Sequence, residues 1–558
     1  MPIMTKEHLV YVPLGGAGEI GMNMYLYGIG KGKRRKWIMV DCGVKFGDER
    51  DPGIDVIVPD TQFIEQYKKD LLAIIITHGH EDHLGAVTWL WPKLQAPVYC
   101  APFAAELLKH KFAEKNLLND IPLMVQPLGS RFDIGPFDIE LVAVTHSIPE
   151  PASVVIRTSL GTVVHSGDWK LDRTPAIPPQ MDEDRLREIG EEGVDVLVCD
   201  STNVLSEGHS ASETEVEREL EKVIKSAKKR VAVTTFASHV GRLTSIVKAA
   251  RACGRDVVLA GRAMHTISAA AQEIGLLKQA GYLLDQDAYD DIPRSKCLLV
   301  CTGSQGEARA AMARIASGSH PHIRFDKGDM AIFSSKTIPG NEKAVSAVFN
   351  DLAEQGVEII TSSEDAMIHT SGHPRQGELL EYYDWLKPAA LIPMHGEMRH
   401  LDFHTRFAKK AGIEHTLRVT NGELTCLLPG PAKIIEDIDS GRTHIDGRLL
   451  VEAEKGPARM RRKLSFSGLI AISVCLSDRG ALLTDPQIVL DGIPEYDEDG
   501  YLIEESLLED IEDTIEQVPP KAARNDDIII ENIKRTTRRT CSDLWGKRPV
   551  VHVLVHRV

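Results

Sequence analysis

His78-Gly79-His80-Glu81-Asp82-His83 follows the apolar run LLAIIIT (residues 71–77) and precedes AVTWLWPKL (residues 86–94). The first flank reads as a buried strand and the second as a helix, which puts four candidate ligands on a strand-to-helix turn. Imidazole nitrogens and a carboxylate converging there form a donor set that suits Zn²⁺ or Mn²⁺. A His-rich surface turn would need no companions. Here His146 in VAVTHSIPE, Asp168 in VVHSGDWKLD and His395 in LIPMHGEMRH stand at other strand ends. Seven residues suffice for two ions that share one carboxylate.

Outward from this turn, residues 1–210 are short apolar strands broken by Gly and Pro, several ending in His or Asp, where layered α/β proteins place their chemistry. Residues 211–360 alternate helices with strands (RVAVTTFAS, DVVLAGRAM, CLLVCTGSQ, DMAIFSSK), the pattern of an open parallel sheet. Residues 361–430 return to strand–loop–His segments. A Gly-, Pro- and charge-rich linker is expected over 431–457. A final unit, 458–558, reads strand, strand, acidic helix, helix, strand.

The 558 residues allow two to four domains; 43% hydrophobic and 26% charged residues exclude a disordered or fibrous chain. No apolar run reaches the roughly 18 residues of a spanning helix, and the N-terminus lacks a signal-peptide core. Nine scattered cysteines without a CxxC pair point to free thiols in a reducing cytoplasm. The net charge of −16 argues against a generic nucleic-acid coat. That charge is segregated: Asp491–Glu516 holds 12 acids and no Lys or Arg, leaving −4 for the rest. Leu507, Leu508, Ile511 and Ile515 give this segment the apolar stripe of a helix, whose acids form its solvated face.

Gly16-Ala17-Gly18-Glu19-Ile20-Gly21 matches GxGxxG after a strand, with Asp41 about twenty residues on. The dinucleotide reading needs a helix at the third Gly. MNMYLYG alternates like a strand instead, so a strand–turn–strand is expected.

Taken in order, the HxHxDH turn and the later His, Asp and His resemble the metallo-β-lactamase superfamily. The closer resemblance is to its β-CASP nuclease branch, and there to bacterial ribonuclease J, over residues 8–430. Asp200 in VLVCDSTN resembles motif A, His373 in HTSGHP motif B and His395 in PMHGE motif C; FASHVGR, AGRAM, CTGSQGE and FSSKTIPGNE resemble blocks between them. His239, Gly241 and Lys336-Thr337 depart from the family's pattern. The resemblance implies a metallo-β-lactamase αββα sandwich with an inserted β-CASP α/β domain and a small α+β C-terminal domain. It implies two divalent ions, Zn²⁺ foremost, with Mn²⁺ or Mg²⁺ able to support activity. His78, His80 and His146 would hold one; Asp82, His83 and His395 the other; Asp168 would bridge them. Asp82, Asp200 and His373 would be catalytic, His373 protonating the leaving 3′-oxygen with support from Asp200. His369-Thr370-Ser371-Gly372-His373 would bind phosphate, with Ser238, His239 and Val240 across the cleft.

The implied activity is 5′-to-3′ exonucleolytic hydrolysis of single-stranded RNA with a 5′-monophosphate, with endonucleolytic cleavage possible, in rRNA processing and mRNA decay. The implied setting is cytoplasmic and away from membranes, as a homodimer or homotetramer joined by the C-terminal domain, with RNA-decay assembly proteins as partners. Asp41, ending WIMVDC, is either an orienter of a ligand His or an ordinary buried acid. Lys31, Lys33, Arg34, Arg35 and Lys36 read as solvated turn charge rather than an RNA contact. Lys534, Arg535, Arg538 and Arg539 read as partners of the acidic helix, in this chain or a neighbour. Three alternatives stand beside the ribonuclease. A small-molecule hydrolase of the lactamase or glyoxalase type needs only the first ~250 residues. A DNA-repair enzyme of the same branch carries Val where this chain has His373. A silent RNA-binding scaffold would have no need of a full ligand set.

Overall fold

The computed structural model describes residues 6–278, 280–338, 340–362 and 366–558. The N-terminal residues 1–5, and Pro339 of the FSSKTIPGNE block, lie outside them. The chain divides into two compact units, residues 1–45 with 58–441, and residues 46–57 with 442–558.

The first unit is built on two stacked sheets. One runs, in spatial order, Lys433–Asp437, Glu423–Leu428, His8–Gly15, Met24–Lys31, Arg34–Val40, Leu71–Ile76, Val98–Cys100 and Leu123–Val125. The other runs Arg131–Ile134, Phe137–Ala143, Ala152–Thr158, Gly161–His165, Val196–Asp200, Ala390–Met394 and His415–Thr416. Tyr11, Tyr25, Ile38 and Ile75 of the first sheet share one buried cluster with Leu141, Val154, Val163, Val198 and Ile392 of the second. The outer face of the second sheet is covered by the helices Glu183–Glu192 and Gln376–Leu386, through Leu186, Ile189, Tyr382 and Trp385. Each fully buried side chain of this size contributes about 1.5–3 kcal/mol. This is the expected αββα sandwich.

Between Asp200 and Ala390 the chain builds a separate five-stranded parallel sheet, ordered Asp256–Ala260, Cys297–Cys301, Val231–Thr234, Met330–Phe333 and Glu358–Thr361. The three central strands are buried throughout, as parallel strands flanked by helices require. Although the insertion separates them, Val196–Asp200 and Ala390–Met394 are parallel neighbours, paired from Val196↔Ala390 to Asp200↔Met394.

In the second unit, the sheet Leu482–Asp491, Leu469–Leu476, Val550–Arg557 packs its Ile470, Ile472 and Val474 against the acidic helix Ile503–Glu516. That helix buries Ile503, Leu507, Ile511 and Ile515, the expected stripe, with Leu508 half-buried at its margin. The helix Asp526–Trp545 meets it through a Thr514–Thr536 hydroxyl contact of 2.8 Å and through Thr540, which donates to Asp510. Lys534 instead pairs with Glu531 of its own helix at 2.9 Å, and Arg535 donates to Asn532 at 2.9 Å.

The stretch expected as a linker over 431–457 contains the strands Lys433–Asp437, Arg442–Asp446 and Leu449–Glu452. Its glycines mark turns rather than slack: Gly447, with φ +62°, occupies the two-residue turn closing Asp446 on Leu449. The last unit also opens on a helix, Ala458–Ser467, rather than a strand. Arg35 turns inward with the alternation of its strand and is buried, unlike the solvated charge expected of it. The Gly16–Gly21 segment leads into the strand Met24–Lys31 with no helix between, as its alternation implies. All nine cysteines are free, and no helix among the described residues is long and apolar enough to cross a membrane.

Candidate metal centre

The strand Leu71–Ile76 ends at Thr77, and the turn that follows delivers His78, His80, Asp82 and His83 to the rim between the sheets. His80 Nδ1 lies 3.0 Å from His78 Nε2 and 3.1 Å from His146 Nε2, so three lone pairs face one point. The outer nitrogens are held elsewhere. His78 Nδ1 is 3.0 Å from the Thr77 hydroxyl, and His146 Nδ1 donates to the Gly372 carbonyl at 2.5 Å. Burial lowers the pKa of all three rings, His80 to about 4, and neighbouring imidazoles add to the effect at each. They are neutral donors, the form a metal binds.

A second group joins Asp82, His83, Asp168 and His395, whose ligand atoms all lie within 4.8 Å of one another. His83 Nε2 is 3.1 Å from Asp168 Oδ2, and His395 Nε2 is 3.3 Å from Asp82 Oδ2. Asp168 Oδ2 is also 3.9 Å from His78 Nε2 and 3.8 Å from His146 Nε2, placing this carboxylate between the two groups. Burial opposes ionisation of Asp168, yet the His395 and His83 imidazoles hold its carboxyl well below the usual range. Burial likewise opposes charge on His395, but Asp168 outweighs it and raises its pKa to about 10. Two carboxylates and two imidazoles beside a triad of neutral imidazoles make a donor set that fits divalent cations.

Asp41 is fully buried behind this group. Its carboxylate accepts from the Thr77 N–H at 2.8 Å and from His83 Nδ1 at 2.7 Å, so the backbone-satisfied acid and the orienter of a ligand ring are one residue. Asp41 and His395 both have left-handed backbones, φ +63° and +48°, the strain that collects at functional sites.

His373 Nδ1 is 2.8 Å from Asp200 Oδ2 and 3.9 Å from Asp168 Oδ2, on the open side of the centre. Burial disfavours its charge, but Asp200 and Asp168 prevail and its pKa is raised. Of the expected phosphate-binding residues, Ser238, His369, Ser371, Gly372 and His373 keep partial exposure. Thr370, His239 and Val240 are buried. The Thr370 hydroxyl donates to the Ala211 carbonyl at 2.9 Å; His239 accepts from the Arg242 N–H at 3.1 Å and meets Glu213 at 3.2 Å.

Two contributors escaped the sequence reading. Arg242, fully buried, grips Glu213 twice (2.9 and 3.0 Å) and reaches Ser334 Oγ at 2.6 Å and the Ile368 carbonyl at 3.3 Å, tying the two expected phosphate loops together. Asn23, also fully buried, places its amide 3.0 Å from His83 Nε2 and 3.3 Å from both Asp82 Oδ2 and His395 Nε2. The available signal was a single polar residue in the otherwise apolar MNMYLYG.

Four family profiles match consecutive parts of the chain: the metallo-beta-lactamase superfamily over residues 18–233, the beta-CASP domain of ribonuclease J over 228–352, the Zn-dependent metallo-hydrolase RNA specificity domain over 365–417, and the ribonuclease J C-terminal domain over 458–558. Ribonuclease J of Sinorhizobium meliloti is 47% identical over 99% of this chain and 98% of its own length. The chain belongs to the ribonuclease J family. Within that family, the Mycolicibacterium smegmatis protein is 34% identical over 99% of this chain and 97% of its own, and the Thermus thermophilus protein 34% over 84% and 82%. A crystal structure of an Enterococcus faecalis protein of unknown function shares the fold, with a TM-score of 0.53 and 15% identity, covering 75% of this chain and 99% of that one.

Proposed function

We propose that this chain is a two-metal ribonuclease that shortens single-stranded RNA from a 5′-monophosphate end, and that it also cuts internally where RNA threads the cleft. The coarser reading, a metal-dependent ribonuclease acting on RNA, follows from its family and from the metallo-hydrolase RNA specificity profile. The observation that carries the finer reading is His373, which is joined to Asp200 at 2.8 Å and stands 3.9 Å from the carboxylate between the two ligand groups.

His78, His80 and His146 would hold one ion and Asp82, His83 and His395 the other, with Asp168 shared, as zinc sites that Mn²⁺ or Mg²⁺ would also fill. Two ions held there would supply an activated water and would offset the charge that builds on the phosphodiester. The protein's own part is positioning. Asp41 and Thr77 fix His83 and His78, the Gly372 carbonyl fixes His146, and Asp200 keeps a proton on His373 for the departing 3′-oxygen. Ser371 and the backbone around Gly372 would receive the 5′-terminal phosphate, which measures the cut from the chain end. The same reading places the protein in cytoplasmic RNA maturation and decay, self-associating through its C-terminal unit as a dimer or tetramer.

The test incubates purified protein and Mn²⁺ with one 5′-end-labelled RNA bearing a monophosphate or a triphosphate. Mononucleotide release from the monophosphate RNA alone supports the exonuclease, equal mononucleotide release from both RNAs refutes the end preference, and internal fragments from both report the endonuclease. His80→Ala should abolish both products with an unchanged circular dichroism spectrum. Retained cleavage in that variant refutes the assignment of the imidazole triad.

A further inference from the structure

Asn23 is fully buried at the start of an otherwise apolar strand, and burying an amide without partners costs about 1–3 kcal/mol. Its placement is built. The Asn23 N–H donates to the Asp82 carbonyl at 2.9 Å, and the Gly43 N–H donates to the Asn23 carbonyl at 2.9 Å. The inner end of its side chain is anchored by the Tyr25 hydroxyl at 2.7 Å. A Cβ at residue 16 would fall 2.2 Å from that hydroxyl and 2.3 Å from Asn23 Oδ1, and Gly16 has φ +81°. The Gly-rich segment that mimics a dinucleotide fingerprint thus leaves the space in which the Tyr25–Asn23 pair sits.

The far end of the amide faces His83 Nε2, His395 Nε2 and Asp82 Oδ2 at 3.0, 3.3 and 3.3 Å. Asp82 Oδ2 is itself 3.6 Å from His83 Nε2 and 3.3 Å from His395 Nε2. Ligand atoms on adjacent vertices around an ion with bonds of about 2.0–2.2 Å are spaced about 2.8–3.6 Å apart. The amide end therefore sits at the spacing of a further ligand beside Asp82, His83 and His395, additional to the shared Asp168. Each imidazole turns Nε2 toward the amide, because its Nδ1 is engaged by Asp41 or Asp168 at 2.7 Å. One NH₂ group has two hydrogens for these three atoms. A cation satisfies all of them at once.

We propose that Asn23 is a further ligand, through its side-chain carbonyl oxygen, of the divalent ion held by Asp82, His83 and His395. A half-turn of the amide exchanges its oxygen and nitrogen, and the Tyr25 hydroxyl serves either end because it both donates and accepts. An amide oxygen is a hard donor suited to Mn²⁺ and Mg²⁺ as well as Zn²⁺. The proposal rests on the two-metal reading above.

The test titrates full-length protein with Mn²⁺ or Zn²⁺ against a competing chelator and counts bound ions per chain by elemental analysis. Wild type, Asn23→Ala and the near-isosteric Asn23→Asp are compared, with folding checked by circular dichroism. Asn23→Ala should weaken one of the two ions by about 10–100-fold and leave the other unchanged. Asn23→Asp should match or exceed wild type, because a carboxylate oxygen takes the same vertex. If Asn23→Asp loses affinity as Asn23→Ala does, the N–H is what matters and the proposal falls. It falls equally if Asn23→Ala binds both ions as wild type does. Wild-type protein that takes up fewer than two ions refutes the two-metal reading itself.

Discussion

Replacing Asp41 by Asn removes one charge while keeping shape, and Asn is among the few residues at ease with the φ of +63° at this position. The Thr77 N–H, 2.8 Å from the side chain, claims the remaining carbonyl oxygen. The new NH₂ then faces His83 Nδ1, which lies 2.7 Å from the carboxylate oxygen it replaces. Two N–H groups cannot face each other. His83 either moves its proton to Nε2, the atom that meets Asp168 at 3.1 Å and is needed as a ligand, or loses its charge-assisted hydrogen bond. That bond contributes about 1.5–3 kcal/mol, which at about 1.4 kcal/mol per decade is a 10- to 150-fold loss of affinity for the ion at His83. Chelator competition with Mn²⁺ measures it directly, and a thermal melt on the same samples reports any general loss of folding. Affinity within twofold of wild type in Asp41→Asn would refute the claim that Asp41 sets the His83 tautomer.

Gly372→Ala places a Cβ 2.7 Å from Ser147 Oγ and 2.8 Å from His146 Cε1, so the loop shifts and the His146–Gly372 bond opens. Metal at the imidazole triad should weaken about 10–100-fold; unchanged bound-metal content counts against this role. Asp200→Asn removes the larger of the two charges that raise the His373 pKa, leaving Asp168 alone against burial, so that pKa falls. Because the protonated form is lost as pH rises through that pKa, the alkaline limb of the kcat/KM profile should move to lower pH, and an unmoved limb rules His373 out as the acid. Arg242→Met leaves Glu213 only Lys170 and His239 as buried partners; its carboxyl is held well below the usual range, burial opposing and Arg242 foremost among the charges that overcome it. Breaking a buried pair of this kind costs about 3–5 kcal/mol, visible as a lower melting temperature; an equal melt refutes it.

The convergence of His78, His80, Asp82, His83, His146, Asp168 and His395 was legible because its signal is local and chemical. His, Asp and His at strand ends need no knowledge of packing to be noticed, and the resemblance supplied their order. Asn23 and Arg242 were not, since neither forms a motif. Asn23 matters only because the Gly16 turn folds its strand beside a loop sixty residues on, and Arg242 only because residues 213, 334 and 368 arrive around it. The burial of His239, Thr370 and Val240 was not legible for the converse reason: position within a motif says nothing of burial. The segment 431–457 was misread because Gly and charge were taken as slack, when three short strands use them as turns.

The seam between Val196–Asp200 and Ala390–Met394 has a consequence for the order of folding. Strand 390–394 finds its place in the sandwich only after roughly 190 intervening residues have been made, and it brings His395 with it. Entropy penalises so long a loop only gently, about 0.6 kcal/mol per doubling of length, but the pairing is remote in sequence and therefore slow. During synthesis the turn at His78–His83 emerges long before its last partner, so the nascent chain passes through a stage that holds the imidazole triad without His395. Assembly of the complete residue cluster is thereby timed by the excursion of the inserted sheet.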